Sequence, residues 1–250
     1  MTRLHEVAAG VLVATSRTDS MNSVIVEGRD GGALLIDPAW HQDELDALVA
    51  ELAERQLAPA AGLSTHAHHD HLLWHPGFGD VPRWASPDTV RIAGSKRDEL
   101  LDALGPGYSP DTLALLGKLS PLPGLDVPWS GPEIDVILHD AHIVGHTAAW
   151  IADYDILIAG DMLSDTELPL PDEEHGALAT YRNGLEALAP YAAVAKLVIP
   201  GHGTPTTNGL ARVQADRRYL DDLLHGRESA DPRLENSGML QVHAANCSLV

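Results

Sequence analysis

The sequence predicts an α/β protein, and three observations carry this prediction. Three apolar runs between residues 11 and 36, with Gly28, Gly31 and Gly32 as turn signals, are typical of a meander of strands. Within residues 44–56 four apolar side chains recur at i, i+3, i+4 and i+7, which predicts an amphipathic helix packed on the sheet. Three later apolar strands each run into a glycine followed by histidine or aspartate.

This strand–glycine pattern is the most regular feature of the second half of the chain. Strands predicted over 134–144, 155–159 and 196–199 lead to Gly145-His146, Gly160-Asp161 and Gly201-His202, respectively. Glycine at the end of a strand permits a sharp turn, after which the next side chain can point into a common site. The pattern therefore predicts one site built from the ends of several strands.

The remaining elements are predicted from local signals. A short strand precedes Ser64, another covers 82–85, and helices are predicted over about 174–189 and 210–224. Ser86-Pro87 and Ser109-Pro110 each combine an N-cap residue with proline at the first helical position, so helices are expected within 87–118. This segment is interpreted as a packing layer or as a lid. The C-terminal helix and tail occupy about 208–250, and the sequence does not assign the tail to its own domain or to a partner.

Composition restricts the classes of function. With 16 Lys and Arg against 36 Asp and Glu, the formal charge of −20 disfavours nucleic acid as a partner. Cys247 is the only cysteine, which excludes an intrachain disulfide and a thiolate-only metal site. At 250 residues the chain is expected to form one domain over 1–250. No apolar run reaches the length of a membrane span, so we expect a protein of the cytoplasm without a membrane partner. A homodimer is left open.

Residues 64–71 read Ser-Thr-His-Ala-His-His-Asp-His and contain four potential metal ligands. His66 and His68 stand two apart, as on one face of an extended segment, whereas Asp70 and His71 follow where the chain must turn. Imidazole and carboxylate suit zinc and similar divalent ions, and one loop can thus serve two subsites. The alternative, a solvated histidine-rich loop, is disfavoured because apolar segments flank the cluster on both sides.

These motifs resemble those of the metallo-β-lactamase superfamily of metallo-hydrolases. The resemblance covers almost the whole chain and implies a four-layer αββα sandwich, in which two mixed β-sheets are flanked by helices and the metal site lies at one edge. It implies that the first metal is bound by His66, His68 and His146, the second by Asp70, His71 and His202, and that Asp161 bridges them. Asp37, at the end of an early strand, is implied to lie near the metals without binding them; from the residues alone it is equally a turn-former.

Departures from the family pattern favour one branch. Members that hydrolyse β-lactams generally replace or lack the bridging carboxylate, whereas this chain keeps Asp161, which favours a glyoxalase-like or lactonase-like member over a dedicated β-lactamase. The third motif continues as His146-Thr147-Ala148-Ala149-Trp150 instead of His-Thr-Pro-Gly-His, so the auxiliary histidine of those branches is missing.

The resemblance implies a hydrolase with two divalent ions per chain, zinc in the first place and iron or manganese as alternatives. A bridging water would attack an ester, lactone, thioester or amide of a small molecule, and Asp70 would orient this water and carry its proton. Alternative functions are a mononuclear iron oxidoreductase of the persulfide-dioxygenase type, a phosphodiesterase, and a catalytically silent binding protein.

Substrate specificity is the least determined property. Trp74, Trp84 and Trp150 lie close in sequence to ligands and are candidate walls of an apolar pocket, or else core residues. His69 and His75 do not match the ligand pattern.

Overall fold

The computed structural model describes residues 4–172 and 177–250. It divides the chain, predicted as one domain, into two compact units, Met1–Val136 and Ile137–Val250. Each unit is built on its own β-sheet and has its own hydrophobic core.

The first unit contains a mixed sheet of seven strands whose spatial order follows the chain. Its strands are β1 (His5–Ala8), β2 (Val11–Thr15), β3 (Asn22–Glu27), β4 (Gly32–Ile36), β5 (Ala58–Leu63), β6 (Arg83–Ala85) and β7 (Ser120–Pro121). Neighbours from β1 to β4 are antiparallel, and those from β4 to β7 are parallel. The predicted N-terminal meander is therefore present. The histidine-rich segment begins directly after β5, which pairs with β4.

In the described part of the first unit the α-helices are α1 (Gln42–Glu54), α2 (Pro87–Ser95), α3 (Arg97–Leu104) and α4 (Pro110–Leu115). The hydroxyls of Ser86 and Ser109 accept backbone N–H groups at the starts of α2 and α4, as the Ser-Pro signals predict. Leu100 and Leu104 enter the core of this unit, so α3 serves as packing. The lid role of 87–118 stays a prediction.

The second sheet has four strands in the order β11-β10-β9-β8. They are β8 (Asp135–His139), β9 (His146–Ile151), β10 (Ile156–Gly160) and β11 (Leu197–Pro200). The predicted strand over 134–144 is wrong in its extent, because β8 ends at His139 and β9 begins only at His146. The carboxylate of Asp140 accepts the N–H of Gly145 at 2.8 Å, and Gly145 has a φ of 77°, so a turn interrupts the strand.

Among the residues described in the second unit, the α-helices are α5 (Ala177–Val194), α6 (Gly209–Leu224) and α7 (Ser237–Cys247). The prediction of a helix from about 174 extends into residues 173–176, which lie outside the described part of the chain. Met239 and Val242 of α7 pack against the core of this unit, and Asn246 donates to the carbonyl of Pro169 at 2.8 Å. The C-terminal tail therefore packs on its own unit. Among the helices described, none combines the length and the apolar character needed to cross a membrane.

Candidate metal centre

In the first unit, the paired ends of β4 and β5 position the predicted ligands. The two parallel strands are in register up to Ile36 and Leu63, and the N–H of Asp37 continues the ladder to the carbonyl of Leu63 at 3.0 Å. Asp37 has a φ of 49°, a left-handed conformation that aspartate tolerates better than most residues. The sheet thus brings Asp37 next to the histidine-rich segment that follows β5.

The carboxylate of Asp37 fixes the orientation of this segment. One oxygen accepts the N–H of Thr65 at 2.8 Å, and the other accepts the Thr65 hydroxyl at 2.6 Å and Nδ1 of His71 at 2.8 Å. Because a carboxylate can only accept, Nδ1 of His71 carries the proton and its Nε2 is left with the lone pair. The Thr65 oxygen, having donated to Asp37, accepts from Nδ1 of His66 at 3.0 Å, so Nε2 of His66 is prepared in the same way.

The four predicted ligands of the first unit form two pairs. Nε2 of His66 lies 2.9 Å from Nδ1 of His68, and Nε2 of His71 lies 3.5 Å from Oδ2 of Asp70. Two ligand atoms that are each about 2.0–2.1 Å from a tetrahedral ion lie roughly 3.3 Å apart. His66, His71 and Asp70 are buried. The separation between His71 and Asp70 suits a shared ion, whereas His66 and His68 lie at the distance of a hydrogen bond. Two subsites along one loop stay a prediction.

In the second unit, one carboxylate oxygen lies between two imidazoles. Oδ2 of Asp161 is 3.4 Å from Nε2 of His142 and 3.6 Å from Nε2 of His202. Nδ1 of His142 donates to the carbonyl of Leu170 at 2.8 Å, which leaves the lone pair on Nε2. An oxygen that faces two ligand nitrogens is the arrangement expected of a carboxylate shared by two metal ions.

His146, the residue that the sequence assigned as a ligand, is oriented differently. It is fully buried as the first residue of β9, and its Nε2 accepts the backbone N–H of Asp161 at 3.1 Å. The Nε2 lone pair is therefore engaged, and His142 presents a nitrogen to the Asp161 carboxylate instead. Sequence reasoning missed His142 because it placed this residue inside a strand. The turn-forming residues Asp140 and Gly145 were the available signal that the strand ends earlier.

His139 packs against His146. Its ring stacks on His146 with centroids 4.6 Å apart. Burial, together with the neighbouring His142, lowers the pKa of His139 to about 4. His139 is therefore neutral at physiological pH and adds no positive charge beside the ligands.

Gly201 permits the close approach of β11 to Asp161. A Cβ atom at position 201 would lie 2.1 Å from Oδ1 of Asp161, so any side chain there would displace the carboxylate. At Gly160, by contrast, the requirement is conformational, since its φ is 56°. The glycines noticed in the sequence thus serve two different physical needs.

A further carboxylate, Glu167, lies beside His202 and was not foreseen. Ligand atoms of Asp161, Glu167 and His202 all lie within 4.8 Å of one another, and Oε1 of Glu167 is 3.7 Å from Nδ1 of His202. The buried guanidinium of Arg233 donates to the carbonyls of Ser164 and Glu167, which holds this loop in place. No local sequence pattern marks Glu167, because its relation to His202 arises only on folding.

The candidate pocket tryptophans are found in different surroundings. Trp74 and Trp150 belong to the hydrophobic cores of the first and second units, where they contact Phe78 and Tyr191 edge-on. Trp84 is partly buried. The packing of Trp74 and Trp150 supports the core alternative, and a substrate-binding role stays a prediction.

Comparisons with known proteins show the family to which the chain belongs. A sequence model described as the metallo-β-lactamase superfamily matches residues 17–202. An uncharacterized protein of Mycobacterium leprae is 28% identical over 214 residues, which cover 79% of this chain and 91% of that protein. A hydroxyacylglutathione hydrolase of Nitrosomonas eutropha is 31% identical over 133 residues, 52% of this chain and 42% of that enzyme.

Among solved structures, a β-lactamase domain protein from Burkholderia ambifaria has a similar fold. The TM-score is 0.67 at 22% identity, and the match covers 89% of this chain and 76% of that one. The predicted fold, two mixed β-sheets flanked by helices, is thereby confirmed. Since the family match also spans most of the chain, the chain belongs to the metallo-β-lactamase superfamily.

Proposed function

We propose that the protein is a metal-dependent hydrolase that uses two divalent ions, zinc in the first place. The observation that carries this proposal is the position of Asp161, whose Oδ2 atom faces Nε2 of both His142 and His202. Family membership supports placing the ligand pairs of the two units in one centre. The proposed ligands of the first ion are His66, His68 and His142, those of the second are Asp70, His71 and His202, and Asp161 bridges the two.

The donor set fits such ions. It consists of imidazole and carboxylate, the ligands that zinc accepts in the absence of cysteine thiolates. Hydrogen bonds from Nδ1 of His71 to Asp37 and from Nδ1 of His66 to Thr65 place the proton of each ring on Nδ1 and the lone pair on Nε2. This preorganisation is what a histidine ligand needs, because the opposite ring nitrogen must be protonated. His146 is proposed to position the backbone of Asp161 instead of binding metal.

When bound, the ions would lower the pKa of a water molecule and polarise the carbonyl of the substrate. The chain would then contribute the proton transfer. Asp70 faces His71 with Oδ2, while its other oxygen lies 3.8 Å from Nδ1 of His69. We propose that this second oxygen, Oδ1, orients the attacking water and passes its proton to the leaving group. Glu167 would restrict the rotation of His202.

A thioester of a small molecule is the substrate class to examine first. The relative from Nitrosomonas eutropha is a hydroxyacylglutathione hydrolase, and a thiolate is a good leaving group that requires little protonation. Esters and lactones follow, since they present the same carbonyl to the same ligands. A phosphodiester of RNA is disfavoured by the formal charge of −20.

The proposal is tested by metal analysis combined with hydrolysis assays. The purified protein should contain about two zinc ions per chain and hydrolyse a hydroxyacylglutathione thioester, an activated ester or a lactone. Asp161→Asn should lower both the metal content and the rate at least 100-fold, because an amide is a poor bridging ligand. Asp153→Asn, at an exposed aspartate of the same unit, provides the control.

Three outcomes would contradict the proposal. Wild-type protein that retains less than one divalent ion after reconstitution would exclude a metal centre. An Asp161→Asn variant with unchanged metal content would exclude the bridging role. Iron-loaded protein that consumes oxygen with a persulfide, without hydrolysing any carbonyl substrate, would favour the oxidoreductase alternative.

A further inference from the structure

A cavity of about 770 Å³ opens in the first unit, and its lining includes Arg83, the first residue of β6. None of the residues lining it is a proposed metal ligand. Its wall combines the apolar surfaces of Trp74, Pro82 and Leu119 with two cationic side chains, those of Arg83 and Lys118. Ligand pockets in proteins commonly have this volume and this combination of apolar walls with a few polar groups.

Arg83 is an unusual residue in this wall because its charge is buried without a counterion. The residue is 7% exposed, and within residues 4–172 and 177–250 it forms no ion pair. Burial lowers the pKa of Arg83 below its ordinary value, although a guanidinium remains charged at neutral pH. A buried charge is normally paired, since its removal from water is costly.

The hydrogen bonds of Arg83 occupy only part of its donor capacity. Its terminal nitrogens donate to the carbonyls of Leu115 at 2.8 Å and Leu72 at 3.2 Å, and its guanidinium lies 4.9 Å from the ring centroid of Trp74. A guanidinium has five N–H groups, so three remain for another acceptor. The two carbonyls fix the orientation of the Arg83 guanidinium but do not neutralise its charge.

The contact between Trp74 and β5 shows that this wall is closely packed. A Cβ atom at Gly62 would lie 2.7 Å from the Trp74 ring, so glycine is what allows the indole to lie against the strand. The indole nitrogen of Trp74 donates to the carbonyl of Gly79 at 3.2 Å. Trp74 is therefore held as a rigid apolar surface next to the guanidinium.

We propose that this cavity binds a small organic anion whose carboxylate or phosphate group pairs with Arg83 and Lys118. The apolar part of the ligand lies along Trp74 and Leu119. A planar guanidinium matches both oxyanions with two parallel hydrogen bonds, so the two head groups share one recognition chemistry. The protein as a whole repels anions with its charge of −20, so retention of an anion here requires these local cations.

Isothermal titration of the purified protein with four probes tests the proposal. Hexyl phosphate and hexanoate represent the two head groups, hexan-1-ol lacks the charge, and inorganic phosphate lacks the apolar part. We expect saturable binding of at least one of the two alkyl anions, weaker binding of inorganic phosphate, and none of hexan-1-ol. Failure of both alkyl anions to bind at concentrations up to about 10 mM would overturn the proposal.

Charge variants at exposed positions of the wall locate the site without disturbing the core. Lys118→Glu should weaken anion binding about three- to tenfold, and Asp80→Asn, which removes a carboxylate from the same wall, should strengthen it about twofold. Lys96→Glu is the matched control, since Lys96 is an exposed lysine of the same unit outside the cavity lining. Equal weakening by Lys118→Glu and Lys96→Glu would indicate only general electrostatics and would overturn the proposed location.

Arg83→Met removes the central cation and should abolish binding in a variant whose circular dichroism matches that of the wild type. If this variant does not fold, the Lys118→Glu and Asp80→Asn variants still test whether the anion binds in this cavity. The titration is repeated after removal of metal by chelation and dialysis. Loss of anion binding in the metal-free protein would assign the anion to the metal centre and contradict the proposal, whereas unchanged binding supports a separate site.

Discussion

His146 and Asp161 are joined through the backbone: Nε2 of the imidazole accepts the N–H of the aspartate at 3.1 Å. His142, four residues earlier, faces the carboxylate of the same aspartate at 3.4 Å. The two histidines therefore contact different parts of Asp161, His146 its backbone and His142 its carboxylate. One holds the main chain, and the other can share an ion with the side chain.

This difference predicts distinct phenotypes for two alanine variants. His142→Ala should lose about one metal ion per chain, because it removes a ligand nitrogen. His146→Ala should keep most of its metal but lose about 10- to 100-fold in activity, because Asp161 loses the support of its backbone. Elemental analysis and initial rates measured on the same preparations distinguish the two effects.

His225→Ala serves as the control for this pair, since His225 is an exposed histidine beside Asp221 at the end of α6. It should change neither quantity. The opposite pattern, metal loss in His146→Ala with retention in His142→Ala, would restore the ligand assignment made from the sequence.

The Thr65 hydroxyl provides a second test. Thr65→Val keeps the shape of the side chain but removes the hydrogen bonds that join Asp37 to His66. Metal affinity should fall about 10- to 100-fold, because the tautomer of His66 is no longer fixed. Competition with a chromophoric chelator measures this affinity. Thr112→Val, at a buried threonine bonded to Ser109, should lower stability without changing metal affinity.

Gly201→Ala tests the close contact between β11 and Asp161. The added methyl group would meet Oδ1 of Asp161 at 2.1 Å, so the carboxylate must rotate away from His142 and His202. We expect a folded protein, destabilised by about 1–3 kcal/mol, with strongly reduced metal binding. The comparison variant is Gly94→Ala on α2, where no atom lies within 4 Å of the new Cβ, and its stability should be equal or higher. Full metal content in Gly201→Ala would refute the steric argument.

Glu44 should make the stability of the first unit dependent on pH. Burial opposes ionisation of this residue, but hydrogen bonds from the backbone of Arg17 and the hydroxyl of Ser16 outweigh it and hold the pKa of Glu44 below its usual value. Because the folded pKa is the lower one, the unfolded chain binds more protons as the pH falls. The contribution is therefore complete above about pH 4.5 and is lost as the pH falls through the folded pKa.

Replacement of this residue by Glu44→Gln should reduce the free energy of unfolding by about 1–3 kcal/mol at pH 7, where the carboxylate accepts charged hydrogen bonds. At acidic pH the difference from wild type should shrink. Urea unfolding of metal-free protein at both pH values measures it. A difference that does not vary with pH would show that the charge of Glu44 contributes nothing.

Residues close together in the sequence were predictable, and those joined by tertiary contacts were not. The proposed ligands His66, His68, Asp70 and His71 lie in one short segment, so a metal site could be predicted there without a structure. The hydrogen bonds of Asp37 cross 28 residues to Thr65, and those of Arg233 cross 66 residues to Glu167. No local pattern encodes such pairs.

The surroundings of His142 show how an error in secondary structure can hide a candidate ligand. Apolar periodicity was sufficient for β3, β4, α1 and α6, whose bounds agree with the predictions to within about two residues. In the strand predicted over 134–144, the turn between Asp140 and Gly145 was overlooked. His142 was thereby placed inside a strand and was not considered as a ligand, and the assignment of His146 stays a prediction.

The hydrogen bond from Asp37 to Leu63 connects the loop that carries the proposed ligands to the sheet. This bond is the last rung of the ladder between β4 and β5, and it anchors the carboxylate that orients His71. The amide hydrogen of Asp37 should therefore exchange with solvent as slowly as those of the sheet interior, although it lies outside any strand. Motion of Asp37 away from Thr65 and His71 by way of the main chain would then require opening of the sheet at this end.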